Sequence, residues 1–387
     1  MYTSFVEKEL KKCLLCKTAL CRTCPNNTPI PEVIALLLDG KTDEAGEMLF
    51  NNNPLSAITG EVCPNHLYCR GSCVLGRHGD PVNFCQIERR ISQKYLDKKL
   101  KETPQAKPSA TSKKVLIVGS GPAGISLAYF LRLKGYNVTI YEKDKQFGGM
   151  IRYGIPDFRL DKTLIDKIVD VMKLYGVKFV NNMTADIHHI KQYRKDFDIV
   201  VLAIGAGISR RLEIQGRQYL TDALDYLRSP TKAKNVIVIG AGNVAMDCAL
   251  TALKTGAKSV NLCYRRDEAA MKAYAKELKH AKDSGVVFNY FMVPQKIVKE
   301  DGALTVLFEH KGETELMRAD LVITAIGQIA LPPKTRLHHT LTPIVLPSGL
   351  VDKSALPTNI YAIGDAVSGT QTIIEAIASA KKLAKKL

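Results

Sequence analysis

Two short aliphatic runs, each closing on a glycine-rich loop and leading into an apolar helical stretch, constrain this chain more than any other feature in it. The first is Val115 to Val118, followed by Gly119-Ser120-Gly121-Pro122-Ala123-Gly124, an apolar helix to Leu133 and a strand from Asn137 to Tyr141. The second is Asn235 to Ile239, followed by Gly240-Ala241-Gly242-Asn243-Val244-Ala245, a helix to about Lys254 and a strand from Ser259 to Cys263. Strand, glycine turn, helix and strand in that order make a βαβ unit, whose strands lie parallel and are covered on both faces. The chain therefore carries two Rossmann-like units about 120 residues apart, and its fold class is α/β.

A G-x-G-x-x-G loop at the mouth of such a unit binds pyrophosphate. Its first glycine allows the tight turn, the second lets pyrophosphate approach the backbone, and the third lets helix and strand pack closely, while the helix N-terminus attracts the anion. In the first loop these are Gly119, Gly121 and Gly124, with Pro122 and Ala123 before the third. Glu142 ends the second strand roughly 20 residues on, where a carboxylate accepts hydrogen bonds from a ribose diol, and Lys143 follows it. The second loop, with Gly240, Gly242, Asn243, Val244 and Ala245, lacks that acid: Tyr264 stands in its place, with Arg265 and Arg266 next. Guanidinium groups there clasp a 2′-phosphate that a carboxylate would repel, which points to NADPH; the alternative is that both arginines are solvated surface charges. One acid-marked and one arginine-marked dinucleotide imply a flavin and a nicotinamide, because hydride needs an acceptor.

Eight of the ten cysteines lie at or before residue 85, in a region with helical stretches such as Glu32 to Asp39 and Val82 to Leu100 and no convincing strand. Cys13-x2-Cys16-x4-Cys21-x2-Cys24-Pro25 and Cys63-x5-Cys69-x3-Cys73 have metal-ligand spacing. Clustered thiolates followed by prolines suit cubane iron–sulfur clusters, with zinc or free thiols as the alternatives. The first ten residues carry charge where a signal peptide needs its apolar core, and Val33 to Leu38 is too short to cross a bilayer, so a reducing, cytoplasmic location is expected. Cys248 and Cys263 are isolated, so the redox pair that disulfide exchange needs near a flavin is missing from the dinucleotide units. The net charge of +17 is scattered along the chain, which fits anionic dinucleotides and an acidic electron-transfer partner better than nucleic acid. The basic tail keeps an apolar stripe, Ile373, Ile377, Ala380, Ala384 and Leu387, and reads as a helix packed on its domain rather than a membrane anchor.

Three stretches together resemble the glutamate synthase small-subunit family: Gly119 to Lys143, the run Phe147-Gly148-Gly149-Met150-Ile151-Arg152-Tyr153-Gly154-Ile155-Pro156-Asp157-Phe158-Arg159, and Ile360-Tyr361-Ala362-Ile363-Gly364-Asp365. That family is related to the flavin half of dihydropyrimidine dehydrogenase and to electron-bifurcating NADH-dependent ferredoxin:NADP oxidoreductases. The resemblance runs nearly end to end. It implies that Gly148, Gly149, Arg152, Tyr153, Gly154, Ile155, Pro156 and Arg159 line FAD, and that Gly364 and Asp365 bind its ribityl and phosphate region, with Thr372 just before the terminal helix. Gly205, Asp247 and Gly327 complete the candidate cofactor-binding set. It also implies two [4Fe–4S] clusters, one on Cys13, Cys16, Cys21 and Cys73, the other on Cys24, Cys63 and Cys69 with Glu88 as an oxygen ligand. Cys85, three residues before Glu88 on the same helix face, is the alternative fourth ligand. Two residues separate Cys21 from Cys24 where the family has three, so the loop here is tighter.

The expected organisation is a helical iron–sulfur module over 1–100, a linker over 101–113, an FAD domain over 114–228 and 329–387, and an NADPH domain over 229–328 inserted in it. The insertion follows because Gly364 and Asp365 belong with the first unit yet come after the second. The implied function is electron transfer from NADPH through FAD and the clusters to a partner protein or larger catalytic subunit, with no general acid or base named. A ferredoxin-linked or electron-bifurcating NADP oxidoreductase subunit is the runner-up, and a scaffold with decayed cofactor sites the non-enzymatic alternative.

Overall fold

In the computed structural model, residues 4–102, 111–184, 192–330, 348 and 350–387 are described; residues 103–110 of the expected linker lie outside them. The chain divides into two compact units, Met1–Arg152 with Asp157–Ala206 and Ala330–Leu387, and Tyr153–Pro156 with Gly207–Ile329.

The first unit opens with five helices, α1 (Ser4–Lys12), α2 (Ile30–Leu38), α3 (Thr42–Asn52), α4 (Ser56–Val62) and α5 (Phe84–Lys99). Proline in the first turn of α2 costs no hydrogen bond, because the first amides of a helix are unpaired anyway. Val6, Leu10, Ile34, Leu37, Leu49, Ile87 and Ile91 form a core into which the Cys69, Cys13, Cys21 and Cys73 side chains pack. The sheet that follows is built from β1 (Lys114–Val118), β2 (Asn137–Tyr141), β3 (Lys178–Val180) and β4 (Ile199–Leu202). Helices α6 (Pro122–Leu133), α7 (Met150–Tyr153) and α8 (Thr163–Leu174) intervene. Val115, Leu116 and Ile117 are fully buried, the unbroken apolar reading expected of a parallel strand covered on both faces.

The second unit contains β5 (Ile208–Ser209), β6 (Thr221–Asp222), α9 (Ala223–Arg228), β7 (Asn235–Gly240), α10 (Asn243–Lys254), β8 (Ser259–Tyr264), α11 (Ala275–Asp283) and β9 (Val287–Tyr290). An antiparallel meander follows, β10 (Met292–Glu300), β11 (Ala303–His310) and β12 (Glu313–Ala319), and then β13 (Leu321–Ala325) and β14 (Gln328–Ile329). Its parallel sheet runs β6-β13-β7-β8-β9. This unit begins at Gly207 rather than at 229. The reason is packing: β6 pairs with β13, and Ala223 and Tyr226 of α9 share a core with Val236, Val238 and Ala249.

The chain then returns to the first unit. β15 (Ile360–Ala362) adds to β4 in parallel, giving the sheet order β15-β4-β1-β2-β3. Short α12 (Asp365–Ser368) leads to α13 (Ile373–Lys386), which packs on α6. The buried face of α13 is Ile374, Ala376, Ile377, Ala380, Leu383 and Ala384; Ile377, Ala380 and Ala384 of the expected stripe are buried, while Ile373 and Leu387 are half-buried. Lys134 Nζ donates to Ala384 O at 2.6 Å and Tyr136 OH to Leu387 O at 2.7 Å, which holds this basic helix on its own unit. Among the described residues, no helix is long and apolar enough to cross a membrane.

Candidate functional site

The first glycine loop is shaped by what its glycines would strike if they carried a side chain. A Cβ on Gly119 would lie 2.4 Å from Ala203 O, and one on Gly124 2.0 Å from Gly119 O. A Cβ on Gly121 would meet nothing within 4 Å, so the loop is jammed against protein at its first and third glycines and open at its second, at the N-cap of α6. That open face is where a pyrophosphate can approach backbone N–H groups and the helix N-terminus. Glu142 is buried behind the loop: its Oε2 accepts from Ser120 N at 2.9 Å and Ser120 Oγ at 2.5 Å, and its Oε1 from Asp144 N at 3.0 Å. Three of roughly four acceptor positions on the carboxylate are thus taken, leaving one for a ribose hydroxyl. Gly148 N in turn donates to Ser120 Oγ at 3.0 Å. Ser120 is therefore the joint between loop, acid and the Gly148-Gly149 pair, and nothing in the G-x-G-x-x-G pattern marks it.

Other expected FAD residues divide between support and exposure. Arg152 Nε donates to Phe147 O at 2.6 Å and its Nη2 pairs with Asp166, so this buried guanidinium fixes the turn. Lys143 is exposed, Gly149 approaches Gly121 Cα, and Gly205 has a positive φ beyond the end of β4. Tyr153, Gly154, Ile155 and Pro156 group with the second unit, where the Arg228 guanidinium stacks 4.4 Å from the Tyr153 ring centroid. Arg159 is half-buried on the first unit.

Gly364 comes back to the same loop: a Cβ there would lie 3.0 Å from that of Ala123, and its φ of +67° suits glycine. Thr372 caps α13 in a capping box with Glu375. Asp365 accepts from Gln371 N at 3.3 Å, and burial pushes its carboxyl up to about 7, with Glu375 adding repulsion. The sign follows from linkage. The unfolded carboxyl ionises near 3.8, so this group's contribution to stability is present below that pH, declines as pH rises, and is lost by about pH 7. Asp365→Asn in flavin-free protein should therefore raise the thermal midpoint above wild type by a margin that grows from about pH 4 to about pH 7 and then levels, read by circular dichroism. A margin independent of pH would refute the burial.

The second loop repeats the design. A Cβ on Gly240 would lie 2.3 Å from Ala325 O, while Gly242 faces open space and Ala245 is fully buried in the third position. Asn243 Oδ1 accepts from Tyr274 N at 2.9 Å, pinning the loop that follows β8; Val244 is half-buried and Asp247 buried one turn on. Gly327 follows β13 with the Arg210 side chain as its nearest neighbour. The two arginines differ: Arg266 donates to Tyr264 OH through Nε at 3.0 Å and Nη2 at 2.7 Å, whereas Arg265 is exposed with no hydrogen bond or ion pair recorded among the described residues.

Cys13, Cys16, Cys21, Cys69 and Cys73 line one pocket, otherwise walled by apolar groups such as Leu14, Leu20, Ile30, Val82 and Phe84. This brings together the four thiols expected on the first cluster and adds Cys69. Burial pushes the Cys21 thiol up to about 11, with Cys69, Cys13 and Cys73 opposing its ionisation; Cys13 and Cys24 are also raised by burial. Crowded thiols that resist ionising one another are what a bound cation relieves, so the donor set fits iron–sulfur ligation. Among the described residues no three His, Cys, Asp or Glu side chains converge as ligands of a single ion would; the thiols are spread over a cavity wall. Cys24 lies 3.3 Å from Thr28 Oγ1. Glu88 is buried, accepts from Thr59 Oγ1 at 3.3 Å and is pushed by burial up to about 8. Cys248 and Cys263 are buried in separate cores of the second unit, Cys263 against Met317 Sδ.

Residues 113–380 match the pyridine nucleotide-disulphide oxidoreductase family, and residues 1–100 match the 4Fe-4S domain II of dihydropyrimidine dehydrogenase. The glutamate synthase [NADPH] small chain of Escherichia coli is 29% identical, over 99% of this chain and 92% of that one. The oxidoreductase AegA of the same organism is 30% identical over 98% of this chain, which spans 64% of AegA's length. Thioredoxin reductase of Lactococcus lactis has the same fold, with a TM-score of 0.59 at 20% identity over 71% of this chain and 97% of that one.

Proposed function

The chain belongs to the pyridine nucleotide-disulphide oxidoreductase family, and from that premise we propose that it takes hydride from NADPH onto FAD and passes electrons singly through two [4Fe–4S] clusters to a partner protein or larger catalytic subunit. When bound, the flavin supplies the exchange between two-electron and one-electron chemistry. The residues supply position and charge. Gly119, Gly121 and Gly124 present the α6 N-terminus to one pyrophosphate, Glu142 holds the ribose, and Gly240, Gly242 and Arg265 do the corresponding work for NADPH. Cys13, Cys16, Cys21 and Cys73 would hold one cluster, and Cys24, Cys63 and Cys69 the other with a fourth ligand.

The observation that carries this reading is the attachment of the cysteine module to α13. Tyr68, next to Cys69, has its hydroxyl 3.2 Å from Thr372 Oγ1 at the N-cap of that helix, and Lys381 Nζ donates to Asn26 O at 3.2 Å, two residues past Cys24. Residues close to Cys69 and Cys24 are thus held on the helix into which the Gly364-Asp365 turn leads. An electron leaving a flavin held at that turn has the cysteine module as its neighbour. The spectrum of purified protein tests this: flavin bands over a broad iron–sulfur absorption support it, and a colourless protein after anaerobic reconstitution would end it.

NADPH should be preferred over NADH through Arg265. Arg265→Ala should raise the NADPH dissociation constant about tenfold or more while leaving NADH nearly unchanged, since a charge-assisted hydrogen bond contributes about 1.5–3 kcal/mol. Unaltered NADPH affinity by fluorescence titration would remove the assignment.

A further inference from the structure

Helix α13 carries a cation where its pattern calls for an apolar residue. Ile374, Ile377 and Ala384 lie on the buried face, and Lys381 falls between the last two at the helical spacing that continues their stripe. A lysine in such a place ordinarily runs its stem along the apolar surface and puts the ammonium in water. Lys381 turns inward instead: it is half-buried and its Nζ donates to Asn26 O at 3.2 Å, whereas Lys382, Lys385 and Lys386 of the same helix are exposed. Among the described residues no carboxylate pairs with it, and burial, with repulsion from Lys385, draws its ammonium below the ordinary lysine range. A half-buried ammonium without a counter-charge costs free energy, so the fold has a vacancy for a negative group.

The carbonyl that Lys381 grips stands beside a thiol. Cys24, Pro25, Asn26 and Asn27 form a turn closed by Asn27 N donating to Cys24 O at 2.8 Å, which keeps Asn26 within about 7 Å of Cys24. The turn is fixed in place. Asn26 is buried, and its Nδ2 donates to Asn52 O at 3.0 Å and to Asn52 Oδ1 at 2.6 Å at the end of α3.

We propose that Lys381 is the counter-charge of the iron–sulfur cluster that Cys24 ligates and that it raises the reduction potential of that cluster. This rests on the reading of Cys24 as a cluster ligand above. A cluster held by thiolates has a net negative charge that grows by one on reduction, so a fixed cation nearby stabilises the reduced form more than the oxidised one. The step is the gain of one electron, from the flavin in the enzyme and from dithionite in the test; no bond or proton at Lys381 changes. An ammonium has three donors and no lone pair, so Lys381 acts through its field and is a positioning residue, not a ligand.

The test is a potentiometric titration of the full chain, reconstituted anaerobically and followed by electron paramagnetic resonance, on wild type, Lys381→Met, Lys381→Arg and Lys385→Met. In Lys381→Met one cluster midpoint should fall at unchanged iron content. At the wild-type midpoint its reduced-to-oxidised ratio should drop about tenfold, ~59 mV for one electron. Lys381→Arg restores the charge and should stay close to wild type, as should Lys385→Met, whose exposed charge is screened by solvent. Lys381→Gln replaces the methionine variant if that one loses iron. Unmoved midpoints in the neutral variant, or a fall in Lys381→Arg as large as in Lys381→Met, would overturn the proposal. Loss of iron from both neutral variants would mark the lysine as a structural tether and overturn it as well. Wild type that takes up no iron would instead refute the iron–sulfur reading on which the proposal rests.

Discussion

Cys69→Ser is expected to abolish electron delivery to the physiological partner while NADPH still bleaches the flavin at close to the wild-type rate. Hydride transfer needs only the two glycine-loop sites, and neither involves a thiol of the first hundred residues. Departure of single electrons needs a conductor, and Cys69, assigned to the second cluster, also lines the pocket of Cys13, Cys16, Cys21 and Cys73. A serine in its place is a harder, poorly ionised ligand, so the loss in partner reduction should be on the order of 100-fold or more. Part of the damage is structural, because cluster binding is folding energy for a small helical module. Stopped-flow bleaching beside steady-state reduction of the partner separates the two rates. Partner reduction at the wild-type rate would make the cysteine module a structural element and remove the iron–sulfur exit from the proposal.

Gly121→Val should give a folded protein that purifies without flavin. The backbone there has an ordinary extended conformation, with φ −69°, and no atom lies within 4 Å of the added Cβ, so the fold itself accommodates the side chain. The pyrophosphate does not, because the new methyl groups stand where it must approach the backbone. A loss of about 3 kcal/mol or more, on the order of 100-fold in FAD affinity, is expected. Gly119→Ala should behave in the opposite way, lowering the thermal midpoint through its collision with Ala203 O and its φ of +105°. Full flavin absorbance in purified Gly121→Val would show that the loop does not seat the pyrophosphate.

How much of this was legible in the sequence depended on how local the signal was. β1, β2, β7 and β8 fall within a residue of the aliphatic runs that announce them, because a parallel strand buried on both faces has no polar position to blur it. The meander of β10, β11 and β12 passed unread: its inner residues Leu304, Val306 and Phe308 alternate with half-buried ones, and alternation is a weaker mark than an apolar block. The boundary at Gly207 could not be seen either, since β6 is two residues long and owes its place to a partner a hundred residues later. The two glycine turns were readable from spacing, whereas the bonds of Ser120 and Asp166 and the joining of Tyr68 to Thr372 come only from the folded chain.

The late return of β15 and α13 to the first sheet sets a timetable for synthesis. The ribosome delivers the cysteine module, then β1 to β4, then the whole second unit, and only afterwards the strand that closes β4 and the helix that covers α6. The inserted unit, Gly207–Ile329 apart from one short loop, can close by itself while the earlier segments wait with an open sheet edge and an uncovered helix face. The seat of Tyr68 and Asn26 on α13 is likewise missing until then. The first unit is thus completed only once β15 and α13 have been made, and a nascent chain stalled before residue 360 leaves the edge of β4 and the face of α6 uncovered.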